Sequence, residues 1–273
     1  MLRLVVGTVL LMAAAQGAMA QSAPSADPHR PAPVTDSVAP KVPAGIRNGV
    51  LIVSKTNSYR HLEHIPHSNA VLSSIAKDLR RPAFVTENAA VFNDALLKRF
   101  SVVVLNSTNG NFLTPEQGAA LERFVARGGG LVALHAAGDS SYKNAWYDDT
   151  VMGDTRFIGH PGGAEQFQTA QVTLNDPKHP ILAGVTLPWS PRDEWYSFSG
   201  DPARSGMTIL ASIDEASYKP GKIAMGASHP VIWINPGVKG HVVYSALGHD
   251  PESYDDPNYR RILTNAIRWA AKP

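Results

Sequence analysis

The chain has ten histidines and no cysteine, so any chemistry it performs comes from imidazoles, carboxylates, hydroxyls or a bound ion rather than from a thiol. The histidines fall where the sequence changes character. His61, His64 and His67 crowd the stretch YRHLEHIPH, His135 ends the apolar run of GGGLVALHAAGDS, His160 sits in RFIGHPGG, and His249 precedes an aspartate in YSALGHDP. Glu63, Asp139 and Asp250 are their acidic neighbours, and the run Asp193-Glu194-Trp195-Tyr196 sets two carboxylates beside two aromatic rings. Imidazoles and carboxylates brought together can move a proton. They can also ligate a divalent cation such as zinc through nitrogen and oxygen, and rings such as Trp195 and Tyr196 can pack on a sugar face. Each feature has a plain alternative. A lone histidine commonly satisfies a turn, the DEWY run can be a solvated turn beside a core pair, and no HExxH spacing marks a metal site. His179-Pro180 and His229-Pro230 read as structural, because proline holds the preceding residue extended.

Bringing these groups together falls to the order of elements. Gly49 to Ser54 (GVLIVS), Ala83 to Glu87 (AFVTE), Val102 to Asn106 (VVVLN), Gly130 to His135 and His241 to Leu247 (HVVYSAL) are short apolar runs, as expected of strands covered on both faces. Helical spacing lies between them. Val71, Leu72, Ile75 and Leu79 mark a helix over Asn69 to Arg80 that Pro82 stops, and Asp94 to Phe100 adds a turn or two. Thr114-Pro115-Glu116-Gln117 forms a capping box ahead of Leu121, Phe124 and Val125, with Gly128 as the stop. A last helix opens at Asp256-Pro257 and carries Tyr259, Ile262, Leu263, Ala266, Ile267 and Ala270 on one stripe. From about Trp146 to Gly240 the pattern shifts to short alternating runs, QVTL, MTILAS and PVIWIN, with Gly and Pro between them. The sequence thus predicts an α/β fold: a doubly wound, mostly parallel sheet with a β-rich insertion between the fourth and fifth core strands. Ligands of such sheets bind beyond the carboxyl ends of the strands. That rule gathers the loops 55–67, 106–112, 135–147 and 248–254, and with them His61, His135 and His249.

Residues 1–20, MLRLVVGTVLLMAAAQGAMA, join one arginine to an apolar stretch from Leu4 to Ala15 and the ending Ala18-Met19-Ala20. That is the pattern of a secretory signal peptide cleaved after Ala20, and the apolar stretch is shorter than the ~20 residues a membrane span needs. Residues 21–44 hold six prolines and few large apolar side chains, so a disordered linker is expected before a domain over 45–273. With 25 basic against 23 acidic residues, nothing in the charge favours nucleic acid or an anionic membrane as partner. The expectation is a periplasmic or secreted protein without a membrane span after cleavage.

Tyr59-Arg60-His61, Gly128-Gly129-Gly130 leading to Leu134-His135-Ala136-Ala137, Phe157-Ile158-Gly159-His160-Pro161, Asp193-Glu194-Trp195-Tyr196, Pro230-Val231-Ile232-Trp233 and Tyr244-Ser245-Ala246-Leu247-Gly248-His249 follow one another in an order that resembles the ThuA-like (trehalose utilisation) family. The resemblance implies a flavodoxin-like sheet, similar to that of class I glutamine amidotransferases, and a site built from His61, His135, His160, Asp193, Glu194 and His249. Amidotransferases of this fold carry a cysteine nucleophile where this chain reads His135-Ala136-Ala137, which excludes glutamine hydrolysis by that route. The family's association with trehalose, and with sugars oxidised at carbon 3, implies a carbohydrate-processing enzyme with a small sugar as substrate. A keto group acidifies the neighbouring C–H, so a base can remove that proton and expel the glycosidic oxygen while a second group protonates it. On this reading His135 and His249 are the acid–base candidates, and Asp193 or Glu194 is the partner carboxylate or a metal ligand. His61 and His160 polarise a carbonyl or bind metal, and Tyr59, Asp139, Trp195 and Tyr196 contact the sugar. Two other readings stand beside it: a non-catalytic carbohydrate-binding or accessory protein, and a metal-dependent hydrolase of another small ester or amide.

Overall fold

The structure is a computed structural model and describes residues 27–272. The expected signal peptide and the first residues of the linker lie outside the described residues. In chain order come β1 (Gly49–Val53), α1 (Ile65–Asp78), β2 (Ala83–Thr86), α2 (Asp94–Leu97), β3 (Phe100–Asn106), α3 (Pro115–Ala126) and β4 (Gly130–Leu134). They are followed by α4 (Ala145–Tyr147), β5 (Phe157–Gly159), β6 (Phe167–Thr169), β7 (Val172–Leu174), β8 (Arg192–Glu194), β9 (Ser197–Phe198), β10 (Thr208–Ile213), β11 (Pro230–Asn235), β12 (Val242–Ser245) and α5 (Pro257–Ala270).

One eight-stranded sheet runs in the order β2-β1-β3-β4-β12-β11-β10-β7. The first five strands of that order are mutually parallel, and the remaining three pair antiparallel. Every residue of β1 and β4 is buried, as strands covered on both faces must be, and this is why their sequences read as unbroken apolar runs. α1 packs beside α5, and α2 beside α3. The step from β1 to β2 goes one way along the sheet and the step from β2 to β3 returns, so right-handed crossovers send the two helix pairs to opposite faces. The reversal leaves a crevice beyond the carboxyl ends of the strands. Helix α5 lies tight on the sheet at Gly130, where a Cβ would come within 2.1 Å of the Ala270 carbonyl oxygen. Two further antiparallel ribbons, β5 with β9 and β6 with β8, complete the stretch between β4 and β12.

Several boundaries differ from the sequence reading: β3, for one, begins at Phe100, and the turn expected over Asp94 to Phe100 ends at Leu97. Helix α1 starts at Ile65 rather than Asn69, because Pro66 takes a first-turn position where its missing N–H costs nothing, and His64 becomes the N-cap. The larger correction concerns residues 27–44, which are not a disordered linker but lie along the domain. The Asp36 carboxylate is 3.0 Å from Lys55 Nζ and accepts from the Ala89 N–H at 2.9 Å, while the Asp36 carbonyl accepts from Gln117. Val34 and Asn57 exchange two hydrogen bonds, Asn88 donates to the Val38 carbonyl, and Arg99 donates to the Val42 carbonyl. Composition hid this attachment because the anchors are backbone and polar groups rather than an apolar face.

Asp36 and Lys55 are both largely shielded from water, so deleting the carboxylate strands an ammonium ion. Asp36→Ala is expected to cost about 2–4 kcal/mol and to open residues 27–44 to proteolysis. Coincident denaturant midpoints for variant and parent would count against this anchor.

Candidate functional site

A cavity of about 350 Å³ opens where the predicted loops meet. The loop after β1 brings Ser58, Tyr59 and His61 to it, the loop after β3 Asn109, the loop after β4 Asp139, and the loop after β12 His249. The ribbons and their connections supply Phe157, His160, Gln166, Glu194 and Tyr196, and the N-terminal segment supplies Arg30. Tyr59 is sandwiched at the rim, with the His29 ring stacked at 5.2 Å and the Arg30 guanidinium over its face. Asn109 donates to the Tyr59 carbonyl, and its own Oδ1 is buried without a hydrogen-bond partner.

His135 is where β4 breaks off. Its φ is +48°, in the left-handed region that costs a non-glycine residue roughly 1–2 kcal/mol. Two hydrogen bonds hold it there: its Nδ1–H donates to the Ala246 carbonyl at 3.0 Å, and the Tyr244 hydroxyl donates to the His135 carbonyl at 3.0 Å. A carbonyl only accepts, so the proton sits on Nδ1 and the Nε2 lone pair faces His249 Nδ1 at 3.1 Å. His249 Nδ1 in turn lies 2.9 Å from Glu194 Oε2. The other carboxylate oxygen, Oε1, accepts from Gln166 at 2.6 Å and lies 3.2 Å from His160 Nδ1.

The charges of this cluster follow from its surroundings. Burial alone would raise the Glu194 carboxyl, but the hydrogen bond from His249 and the imidazoles around it outweigh that and hold it below the ordinary value. Burial would lower His249, yet Glu194 outweighs it and leaves His249 above the usual imidazole range. His61 and His135 go the other way, pulled well down by burial and by the neighbouring imidazoles. Asp139 is pushed up to about 6 by burial, against the opposing hydrogen bonds from Ser141.

The sequence profile of ThuA, described as trehalose utilisation, matches residues 49–270. The chain belongs to the ThuA family. Among curated proteins no sequence matches it. A ThuA-like protein from Bacteroides uniformis superposes with a TM-score of 0.70 at 21% identity, covering 85% of this chain and 95% of that one. A ThuA-like protein from Parabacteroides merdae gives 0.64 at 17%, covering 83% and 90%. A β-galactosidase from Rahnella sp. R3 gives 0.54 at 15%, with 82% of this chain on 31% of the larger one. At these identities the likeness is one of fold: an α/β architecture around a mostly parallel sheet.

Within this ThuA chain, His61, His160, Glu194, His249, Tyr59, Asp139 and Tyr196 line the cavity together. Three expected site residues do not. His135 is fully buried behind the cavity lining, 3.1 Å from His249, 3.6 Å from Glu194 and with its ring 4.4 Å from that of Tyr196, so it orders the residues that face a substrate rather than touching the substrate itself. Trp195 is also fully buried, its indole N–H donating to the Gln168 carbonyl, and cannot stack on a sugar. Asp193 points away from the cavity and accepts from the backbone N–H groups of Gly248, His249 and Glu194 and from the Ser253 hydroxyl. It is the clasp of the His249 turn. Gly248, at φ +116°, completes that turn; a Cβ there would lie 2.6 Å from the Tyr254 hydroxyl. His64 was passed over: its Nε2 is 2.8 Å from Ser107 Oγ, and its ring lies against His61. Its three-residue spacing from His61 was the available signal. Gln166, Asn109 and Arg30 carried none that sequence reasoning could weigh.

Asp193 is buried among donors, so an amide in its place turns an NH₂ toward one of them. Asp193→Asn is expected to lose about 1–3 kcal/mol of stability and to loosen the His249 turn, read as faster amide exchange at Gly248 and His249. Unchanged exchange at both would remove Asp193 from this role.

Proposed function

We propose that this ThuA chain is an exported carbohydrate-processing enzyme that moves a proton on an oxidised glycoside or disaccharide. One observation carries the reading. Asp139 and Glu194 line the same cavity, and their environments push the two carboxyls in opposite directions, the separation that divides acid and base roles at a site. Asp139, close to neutrality, is the proton-transfer group: it takes the acidic C–H proton beside the keto carbon and returns it to the departing glycosidic oxygen. His249, whose imidazolium form Glu194 favours, is the donor to the carbonyl oxygen on which charge develops. His135 aligns His249 from beneath, and His160 and Gln166 hold Glu194. Tyr59 and Tyr196 on the cavity wall suit a sugar ring.

Family membership supports the substrate class, and the leader-like residues 1–20 support export to the periplasm or beyond the cell. Among the described residues no helix is long and apolar enough to cross a membrane. The parallel order β2-β1-β3-β4-β12 supports a flavodoxin-like sheet, with the chain between β4 and β12 as its β-rich insertion.

The test is incubation with 3-keto-disaccharides and their unoxidised parents. Turnover of the keto sugar is expected, with Asp139→Asn lowering kcat by about 10²–10⁴-fold. Sugar binding without turnover of either substrate would favour an accessory binding protein instead.

The pH dependence has a definite sign. Below about 6 the Asp139 carboxyl keeps its proton and cannot accept another, so kcat/KM is expected to fall as pH drops through about 6. A rate that stays flat from pH 7 to 5 would rule Asp139 out as the base. The native carboxyl also keeps its proton longer than the unfolded one, whose value is near 3.8. The parent therefore loses stability relative to Asp139→Asn as pH rises from 4 to beyond 6, measurable in thermal melts.

A further inference from the structure

We propose that His61, His135 and His249 form a binding site for a divalent transition cation of the zinc type, with Glu194 as the fourth ligand. One nitrogen of each imidazole lies within 4.8 Å of those of the other two. His135 Nε2 is 3.1 Å from His249 Nδ1, and Glu194 Oε2 is 2.9 Å from His249 Nδ1 and 3.6 Å from His135 Nε2. A tetrahedral ion bound through bonds of ~2.0–2.1 Å has ligand atoms ~3.4 Å apart. Three donor atoms therefore already stand close to the corners of one tetrahedral face.

Two observations favour a cation over a purely hydrogen-bonded cluster. The His135 Nδ1 proton is committed to the Ala246 carbonyl, which leaves Nε2 as a lone pair aimed at the cluster. A backbone partner on the far nitrogen is how metal-bound histidines are oriented. His61 supplies the second: its Nδ1 is buried with no partner, so the ring that completes the trio is not held by hydrogen bonds through that atom. The carboxylate is prepared in the same sense. Gln166 and His160 engage Oε1, which leaves Oε2 for the ion.

Three imidazoles and one carboxylate select a cation of zinc type over magnesium or calcium, which take oxygen ligands. His61, His249 and Glu194 all border the cavity, so the bound ion would lie at its wall, where expansion to five-coordination would let it polarise the carbonyl oxygen of a ligand. The site shares its cavity with the proposed activity but does not depend on it.

Protein stripped with a chelator and dialysed is titrated with Zn(II) by calorimetry and with Co(II) by visible absorption. One equivalent of each is expected, with the intense visible bands of four-coordinate cobalt, bleached when zinc is added. His61→Asn and His135→Asn should each weaken binding by about 100-fold or more. Asparagine is chosen at 135 because it tolerates a left-handed backbone. Should circular dichroism show that either variant fails to fold, Glu194→Gln provides the same test. Asp139→Asn should bind like the parent. Absence of binding, or undiminished binding in the folded ligand variants, overturns the site. Stoichiometric zinc in protein that turns over no glycoside upholds the site and counts against the activity alone.

Discussion

Glu194 is a carboxylate almost out of reach of water, and a charge so placed persists only when donors surround it. Much of the local architecture answers that requirement. Gln166 and His160 meet one oxygen, and His249 meets the other. His249 can do so only because its turn is fixed by Asp193, the residue next to Glu194 in the chain. A single dipeptide thus supplies both the charge at the cavity and the clasp that brings an imidazole to it. Its two members, adjacent on β8, do this on opposite sides of a strand whose side chains alternate in direction.

The parallel sheet supplies the precision. β4 and β12 are hydrogen-bonded neighbours and end together, with Leu134 opposite Ser245, so His135 and the His249 turn leave the sheet side by side. The contact is held by strain as well as proximity. Two hydrogen bonds at about 1 kcal/mol each are comparable to the left-handed penalty at His135. Both of them run to β12 or the residue just beyond it, so the imidazole takes its position from the strand next to its own.

Much of this was legible before any coordinates. The apolar runs named the strands, and the strand-end rule brought His61, Asp139 and His249 to one place. What the sequence could not show was direction. Asp193 and Trp195 looked like site residues because of their company, yet alternation along β8 sends Asp193 beneath the turn, and Trp195 turns into the core. His135 looked like the centre because of its motif, whereas its burial keeps it behind the residues that line the cavity. Gln166 escaped notice because only the pairing of β6 with β8 brings its neighbourhood to Glu194.

The N-terminal segment contributes to the mouth of the cavity. Its rim residues, His29 and Arg30, lie outside the stretch 49–270 that matches the family, while the imidazoles and Glu194 lie inside it. The imidazoles and Glu194 thus sit within the matched stretch, and part of the mouth lies outside it. Substitutions at His29 or Arg30 can reshape what enters without touching Glu194, whereas trimming the chain at Gly45 would remove part of the doorway and with it the Asp36 partner of Lys55.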